Sequence, residues 1–223
     1  LLCLHGHGSF GERLCKQLEA SFLPVARAAA AGRAPGRALP SLDELDIQCR
    51  CLDAPFREPS RRDQGRQWWA YDEGGDGDRP QNWAEMEVAA TRIAEALEEP
   101  ARPYDGILGF SQGAEMVHAA SVLAHRGDPR FCGPRAPRFG VSLSGAVNPG
   151  HFESEGGGGP PRDLPGPTAG PRAGELRLPM LFVGDFVGDR WYPGRRFEST
   201  AGLYADVTRV EHSQDHTIPE LPA

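Results

Sequence analysis

The chain has 223 residues, enough for one ordinary domain with its own core, and 39 % of them are hydrophobic, too many for a disordered tail. With 24 Lys and Arg against 31 Asp and Glu it carries a formal charge of −7 and shows no concentrated basic face, which argues against nucleic acid and other polyanions as partners. No run approaches the roughly 20 apolar residues that span a bilayer, so a soluble, cytoplasmic protein with no membrane span is expected.

Leu1 to Leu4 is a short apolar run that stops at His5-Gly6-His7-Gly8, the pattern of a buried strand entering a tight loop. Leu14, Leu18 and Phe22 recur at four-residue spacing and predict a first helix ending near Pro24, followed from Ala26 to Pro40 by a linker or frayed extension. The opening residues include neither an initiator Met nor a basic segment, so the chain reads as trimmed at this end. Ile47 to Leu52 is a second strand. A polar, Gly-rich loop from Arg57 to Pro80 carries an unusual Trp68-Trp69-Ala70-Tyr71. Asn82 and Glu85 form a capping box for a helix whose apolar face is Trp83, Met86, Ala90, Ile93 and Leu97, with Pro100 as its stop.

Tyr104 to Phe110 reads as a strand, Gln112 to Arg126 as a helix closed by Gly127, and Phe139 to Leu143 as a strand. Leu178 to Val183 is another strand, Phe197 to Tyr204 a weak helix and Asp206 to Val210 a last short strand. Strands alternating with helices predict an α/β fold with a mostly parallel central sheet covered on both faces, in one domain over residues 1–223. Gly and Pro number 49, and 13 of them fall in the 25 residues Gly150 to Gly174, which predicts a mobile Gly/Pro-rich insertion loop there. The five cysteines, Cys3, Cys15, Cys49, Cys51 and Cys132, are odd in number and irregular in spacing, so reduced cysteines are expected rather than a disulfide scaffold or a zinc site.

Chemistry concentrates at Gly109-Phe110-Ser111-Gln112-Gly113, directly between a strand and a helix. Small residues at these spacings permit a sharp turn that lifts the Ser111 hydroxyl above the sheet, beside amides at a helix N-terminus that suit a developing oxyanion. A serine hydroxyl needs a base in hydrogen-bond reach, itself oriented by an acid, and in α/β hydrolases the chain order is Ser, acid, His. Asp185 and Asp189 follow the Leu178–Val183 strand, and only His212 and His216 come later still. The second oxyanion amide is expected from the loop after the first strand, which assigns the donors to the amides of His7 and Gln112. His5 and His7 lack a third metal ligand at suggestive spacing, and no metal or cofactor is called for.

Leu4-His5-Gly6, Leu52-Asp53-Ala54-Pro55, Trp68-Trp69, Asp105 through Ala114, Ser142-Leu143-Ser144-Gly145 and His212-x-x-x-His216-x-Ile218-Pro219 resemble the serine hydrolase FSH family, small α/β hydrolases that include fungal thioesterases. The resemblance implies a Ser-Asp-His triad and esterase or thioesterase activity. It favours Asp189, four residues before Pro193, over Asp185 as the acid, and His216 over His212 as the base. The family's Gly-Gly before that histidine is Gln214-Asp215 here. The expected substrate is a small-molecule acyl ester or acyl thioester, the latter possible on an acyl carrier. Trp68, Trp69, Tyr71, Trp191 and Tyr192 are candidates for lining an acyl pocket, although core packing uses the same side chains. The competing function is a hydrolase-like binding module with an idle pocket.

Overall fold

Local apolar runs set the strands, and their order along the chain sets the sheet. The structure is a computed structural model that describes residues 1–23, 47–59, 65–71, 83–99, 103–147 and 170–219. Strand β1 (Leu2–Leu4) leads into helix α1 (Gly11–Gln17), which continues as a wider π turn over Leu18–Phe22. Then come β2 (Arg50–Leu52) and the short strands β3 (Phe56–Arg57) and β4 (Arg66–Gln67). Helix α2 (Trp83–Leu97), β5 (Gly106–Phe110), α3 (Gln112–His125) and β6 (Phe139–Leu143) follow. The described chain is completed by β7 (Met180–Gly184), α4 (Gly194–Ala201) and β8 (Val207–Glu211).

Six strands form one sheet in the order β2-β1-β5-β6-β7-β8, every neighbouring pair parallel. Parallel strands need crossovers that cover the faces, so their central members are apolar on both sides rather than alternating. Leu2, Leu4, Ile107, Met180 and Phe182 pack on one face against α2, α3 and α4, while Cys3, Leu108, Val141, Leu143 and Val183 pack on the other against Leu14 of α1 and Leu18 of the π turn. Each fully buried Leu or Ile contributes about 1.5–3 kcal/mol to folding. This is the expected α/β-hydrolase fold, with the C-terminal ends of β1, β5 and β6 side by side in a register that sets Leu4 beside Gly109 and Gly109 beside Ser142.

Three expectations change. The loop after Pro55 is not wholly irregular: β3 and β4 pair antiparallel, Phe56 against Gln67, and Ser9 bridges to Arg66, which ties this segment to the loop after β1. Element bounds shift: the strands expected from Ile47, Tyr104 and Leu178 begin at Arg50, Gly106 and Met180, and the helix expected over Phe197 to Tyr204 is Gly194–Ala201. The third change is the cysteines, because Cys15 and Cys51 are joined in a disulfide while Cys3, Cys49 and Cys132 stay as thiols. Packing of α1 over the edge strand brings the two Cα atoms to 5.9 Å, within bridging range, although 36 residues separate them in sequence. That proximity is tertiary and leaves no mark in cysteine spacing. The predicted linker from Ala26 to Pro40, Pro24, Asn82, Pro100 and most of the Gly150–Gly174 insertion lie outside the described residues.

Candidate active site

Ser111 stands where β5 turns into α3, with φ 53° and ψ −122°. A non-glycine residue held at positive φ is strained, and such strain persists only when its surroundings determine it. Two glycines make the turn possible. A Cβ on Gly109 would lie 2.2 Å from the Gly113 carbonyl oxygen, and one on Gly113 would lie 2.2 Å from that of Leu4. The start of α3 is therefore seated directly on the ends of β5 and β1. Ser111 N–H donates to Leu143 O at 3.0 Å, and Ser111 O accepts from Ala114 N at 2.8 Å.

The hydroxyl meets a relay. Ser111 Oγ lies 2.9 Å from His216 Nε2, and His216 Nδ1 lies 2.9 Å from Asp189 Oδ2. A carboxylate only accepts, so Nδ1 carries the ring proton and Nε2 is left to accept from the serine hydroxyl. Asp189 is buried, and its other oxygen accepts from the backbone N–H groups of Trp191 at 2.8 Å and Tyr192 at 3.0 Å. The imidazole is flanked by Phe110 and by Tyr192, whose ring centroids are 5.3 and 5.4 Å away. Such an arrangement can deprotonate the hydroxyl as it attacks a carbonyl carbon and can return the proton to a leaving group.

Asp185, the alternative acid, is occupied elsewhere. Its Oδ1 accepts from Gly188 N at 2.6 Å and Val187 N at 3.3 Å, and its Oδ2 from Asp215 N at 3.0 Å. The Gly188 amide is the main reason its carboxyl is held below the ordinary carboxylate range. Asp185 thus fastens the loop after β7 to the loop that carries His216. Asp215 has φ 55°, the left-handed conformation for which Gly is suited and which Asp tolerates, so the departure from a Gly-Gly pattern leaves the turn intact. Its carboxylate also binds Arg190 N at 3.0 Å and Nε at 2.5 Å, and that guanidinium holds its pKa down to about 2. His212 lies apart from Ser111 in this relay, and burial lowers its pKa.

The loop after β1 runs against the nucleophile, since a Cβ on Gly6 would come within 3.2 Å of Ser111 Cβ. His7 follows Gly6 in this loop, and Gln112 begins α3 directly after Ser111. Both residues are anchored by their side chains. His7 Nε2 donates to Gln67 Oε1 at 2.9 Å, while Gln112 accepts from Trp68 N at 2.9 Å and donates to Trp69 O at 2.8 Å. His5 is buried, with Nδ1 donating to Gly6 O at 2.8 Å and Nε2 accepting from Ala54 N at 3.1 Å, and desolvation lowers its pKa. Among the described residues no group of three or more His, Cys, Asp or Glu is placed to hold a metal ion.

The five aromatic candidates divide. Trp68 and Trp69 are 0 % and 1 % exposed, and Trp68 Nε1 donates to His5 O at 2.8 Å, which packs Trp68 behind the loop after β1. Trp191 is 67 % exposed. Tyr71 is half exposed, its ring 5.1 Å from that of His7, and Tyr192 is buried against His216. The residue that sequence reasoning missed is Glu115, a buried acid on α3 whose Oε1 accepts from the Tyr192 hydroxyl and, at 3.5 Å, from that of Tyr71. The signal was a charged side chain inside the otherwise apolar run Gly113 to Val117. Ser144 was missed too. With φ 43°, its hydroxyl donates to Thr217 O at 3.0 Å, pinning the residue after His216 to the end of β6.

Comparison with known proteins identifies the family. The family described as "Serine hydrolase (FSH1)" matches residues 1–222. Esterase OVCA2 of Mus musculus is 32 % identical over 167 residues, covering 72 % of this chain and 64 % of that protein, so the chain spans less than two thirds of that relative's length. Esterase OVCA2 of Homo sapiens is 31 % identical over 180 residues, 75 % of this chain and 70 % of that protein. Among solved structures, Zea mays acyl-protein thioesterase 2 superposes with a TM-score of 0.57 at 21 % identity, covering 98 % of this chain and 87 % of its own. The Bacillus cereus carboxylesterase gives 0.52 at 18 % identity, with 98 % and 81 % covered. At those identities the likeness speaks to the fold.

Proposed function

Because the chain belongs to the serine hydrolase (FSH1) family, we propose that it hydrolyses a carboxylic ester or acyl thioester through an acyl-enzyme on Ser111. The reading rests on one observation, the continuous relay from Ser111 Oγ through His216 to Asp189 with both links at 2.9 Å. Ser111 Oγ attacks the acyl carbon and its proton passes to His216 Nε2, while Asp189 stabilises the imidazolium and keeps Nδ1 protonated. The negative charge on the former carbonyl oxygen falls to the amides of His7 and Gln112, aided by the N-terminal dipole of α3. Imidazolium then protonates the departing alcohol or thiol. Water, deprotonated by the same histidine, attacks the acyl-enzyme and releases the carboxylic acid, returning Ser111 to its starting state.

A fluorophosphonate probe tests the nucleophile directly, because it labels only an activated serine. Stoichiometric labelling of the parent and none of Ser111→Ala is expected, with turnover of p-nitrophenyl acetate falling by about 10⁴–10⁶ in the variant. Full esterase activity in Ser111→Ala would overturn the assignment. The acyl group borne by a matched pair of oxygen ester and thioester, the thioester both free and on a carrier protein, assigns the leaving group from the ratio of kcat/KM values.

A further inference from the structure

Tyr192 is held in three directions at once. Its backbone N–H donates to Asp189 Oδ1 at 3.0 Å, its ring lies along the His216 imidazole at an interplanar angle of 29°, and its hydroxyl donates to Glu115 Oε1. Glu115 sits one helical turn beyond Ser111, and its own N–H donates to Ser111 O at 3.2 Å. One phenol therefore joins the nucleophile's helix, the acid's loop and the base.

We infer that Glu115 is a positioning residue for the reaction proposed above, acting through the Tyr192 hydroxyl to fix the ring that sets the plane of His216. The imidazole lies between two aromatic walls. Phe110 belongs to β5 and is fixed by the sheet, whereas Tyr192 belongs to the loop after β7, where Asp189 holds its backbone N–H, Phe197 packs beside its ring and Glu115 holds its hydroxyl. Burying a carboxylate is costly, and in a helix that faces the core it is retained where it is satisfied by strong donors. Here the donors are Tyr192 and, at 3.5 Å, Tyr71, and the Tyr192 phenol stays protonated because burial, then the Glu115 charge, raises its pKa well above the ordinary value. With the hydroxyl removed, the ring can tilt, and the His216 plane and the Ser111–His216 contact are no longer fixed. Misplacement of a catalytic group by about 1 Å costs on the order of 10²-fold in rate.

The inference rests on the triad reading, so the test includes a measurement that needs no turnover. Tyr192→Phe keeps the ring and the backbone bond and removes only the hydroxyl. Glu115→Gln keeps an acceptor oxygen for it. The readouts are kcat and KM for p-nitrophenyl acetate, the rate of fluorophosphonate labelling, and the downfield proton resonance of His216 Nδ1, identified by its absence in His216→Gln. In Tyr192→Phe, kcat and labelling rate are expected to fall about 10- to 100-fold with KM within about twofold, and the downfield resonance to broaden. Glu115→Gln is expected to stay within about threefold of the parent in both rates. Parental rates and a sharp resonance in Tyr192→Phe, with only its melting temperature lowered, would mean that the contact is structural and overturn the inference. So would a Glu115→Gln variant as impaired as Tyr192→Phe. A parent that resists labelling while its downfield resonance still responds to Tyr192→Phe would sink the triad reading and leave the positioning role standing.

Discussion

Asn at position 189 and Asn at position 185 should have opposite consequences, and the hydrogen bonds say why. Asp189 Oδ1 accepts from two backbone N–H groups, at 2.8 and 3.0 Å, so in Asp189→Asn the amide oxygen must stay there and the NH₂ must replace Oδ2 opposite His216 Nδ1. That NH₂ donates, so Nδ1 has to accept, the ring proton moves to Nε2, and the atom facing Ser111 can no longer take its proton. A wrong tautomer of this kind costs about 10⁴-fold in kcat, equivalent to about 5 kcal/mol of barrier, with little change in fold. In Asp185→Asn the oxygen keeps the Gly188 and Val187 amides, while the NH₂ faces the Asp215 N–H, donor against donor. An unsatisfied pair costs about 1–3 kcal/mol, so this variant should unfold at lower denaturant and keep kcat within about tenfold. Steady-state kinetics on p-nitrophenyl acetate, together with chemical denaturation, reads both quantities. A large kcat loss in Asp185→Asn with a near-normal Asp189→Asn would refute the assignment of the acid.

Further outcomes follow from features away from the relay. His118 is buried, with Nδ1 2.7 Å from the Tyr204 hydroxyl and Nε2 3.2 Å from Ser142 Oγ, and burial drives its pKa down to about 3. The unfolded chain takes up this proton below about pH 6.5 and the native state does not, so stability falls as pH drops through that window towards 3, by about 2 kcal/mol at pH 5. Denaturation at pH 6.5 and 5 should show a shallower decline in His118→Gln, and equal declines would dismiss burial of a neutral imidazole. Alkylation of unreduced, denatured protein should modify three cysteines, and Cys15→Ser should lower stability by about 3–4 kcal/mol from loop closure alone. Five modified cysteines would count against the bridge. Gly113→Ala places a Cβ 2.2 Å from the Leu4 carbonyl oxygen, a backbone atom inside the sheet, and should cost more than about 3 kcal/mol as judged by melting, with recovery of a normally stable protein contradicting the close approach.

What could be read without coordinates was whatever depends on short-range pattern. The apolar runs of β5 and β6 and the small residues around Ser111 are local, the order of serine, acid and histidine needs only chain order, and the strand–turn–helix around Ser111 lies where these placed it. Pairings between distant segments were not legible. Cys15 meets Cys51 only because α1 lies over the sheet edge, and Glu115 meets Tyr192 only because the loop after β7 folds back on α3. Trp68 and Trp69 were ambiguous for another reason: an indole in a loop has the same chemistry whether it lines a cavity or supports a neighbouring turn. In the structure both are buried and Trp68 Nε1 donates to His5 O.

The parallel order of the strands also has a meaning for biogenesis. Ser111, Asp189 and His216 each follow a different strand of the sheet, and 105 residues separate the serine from the histidine that touches it. A growing chain exposes its hydroxyl long before the imidazole has been synthesised, and the edge strand β8 must dock before the two can meet. Any fragment that stops short of β8 lacks the histidine that Ser111 meets in the complete sheet. On the reading proposed above, acyl transfer therefore waits for the part of the chain that is made last.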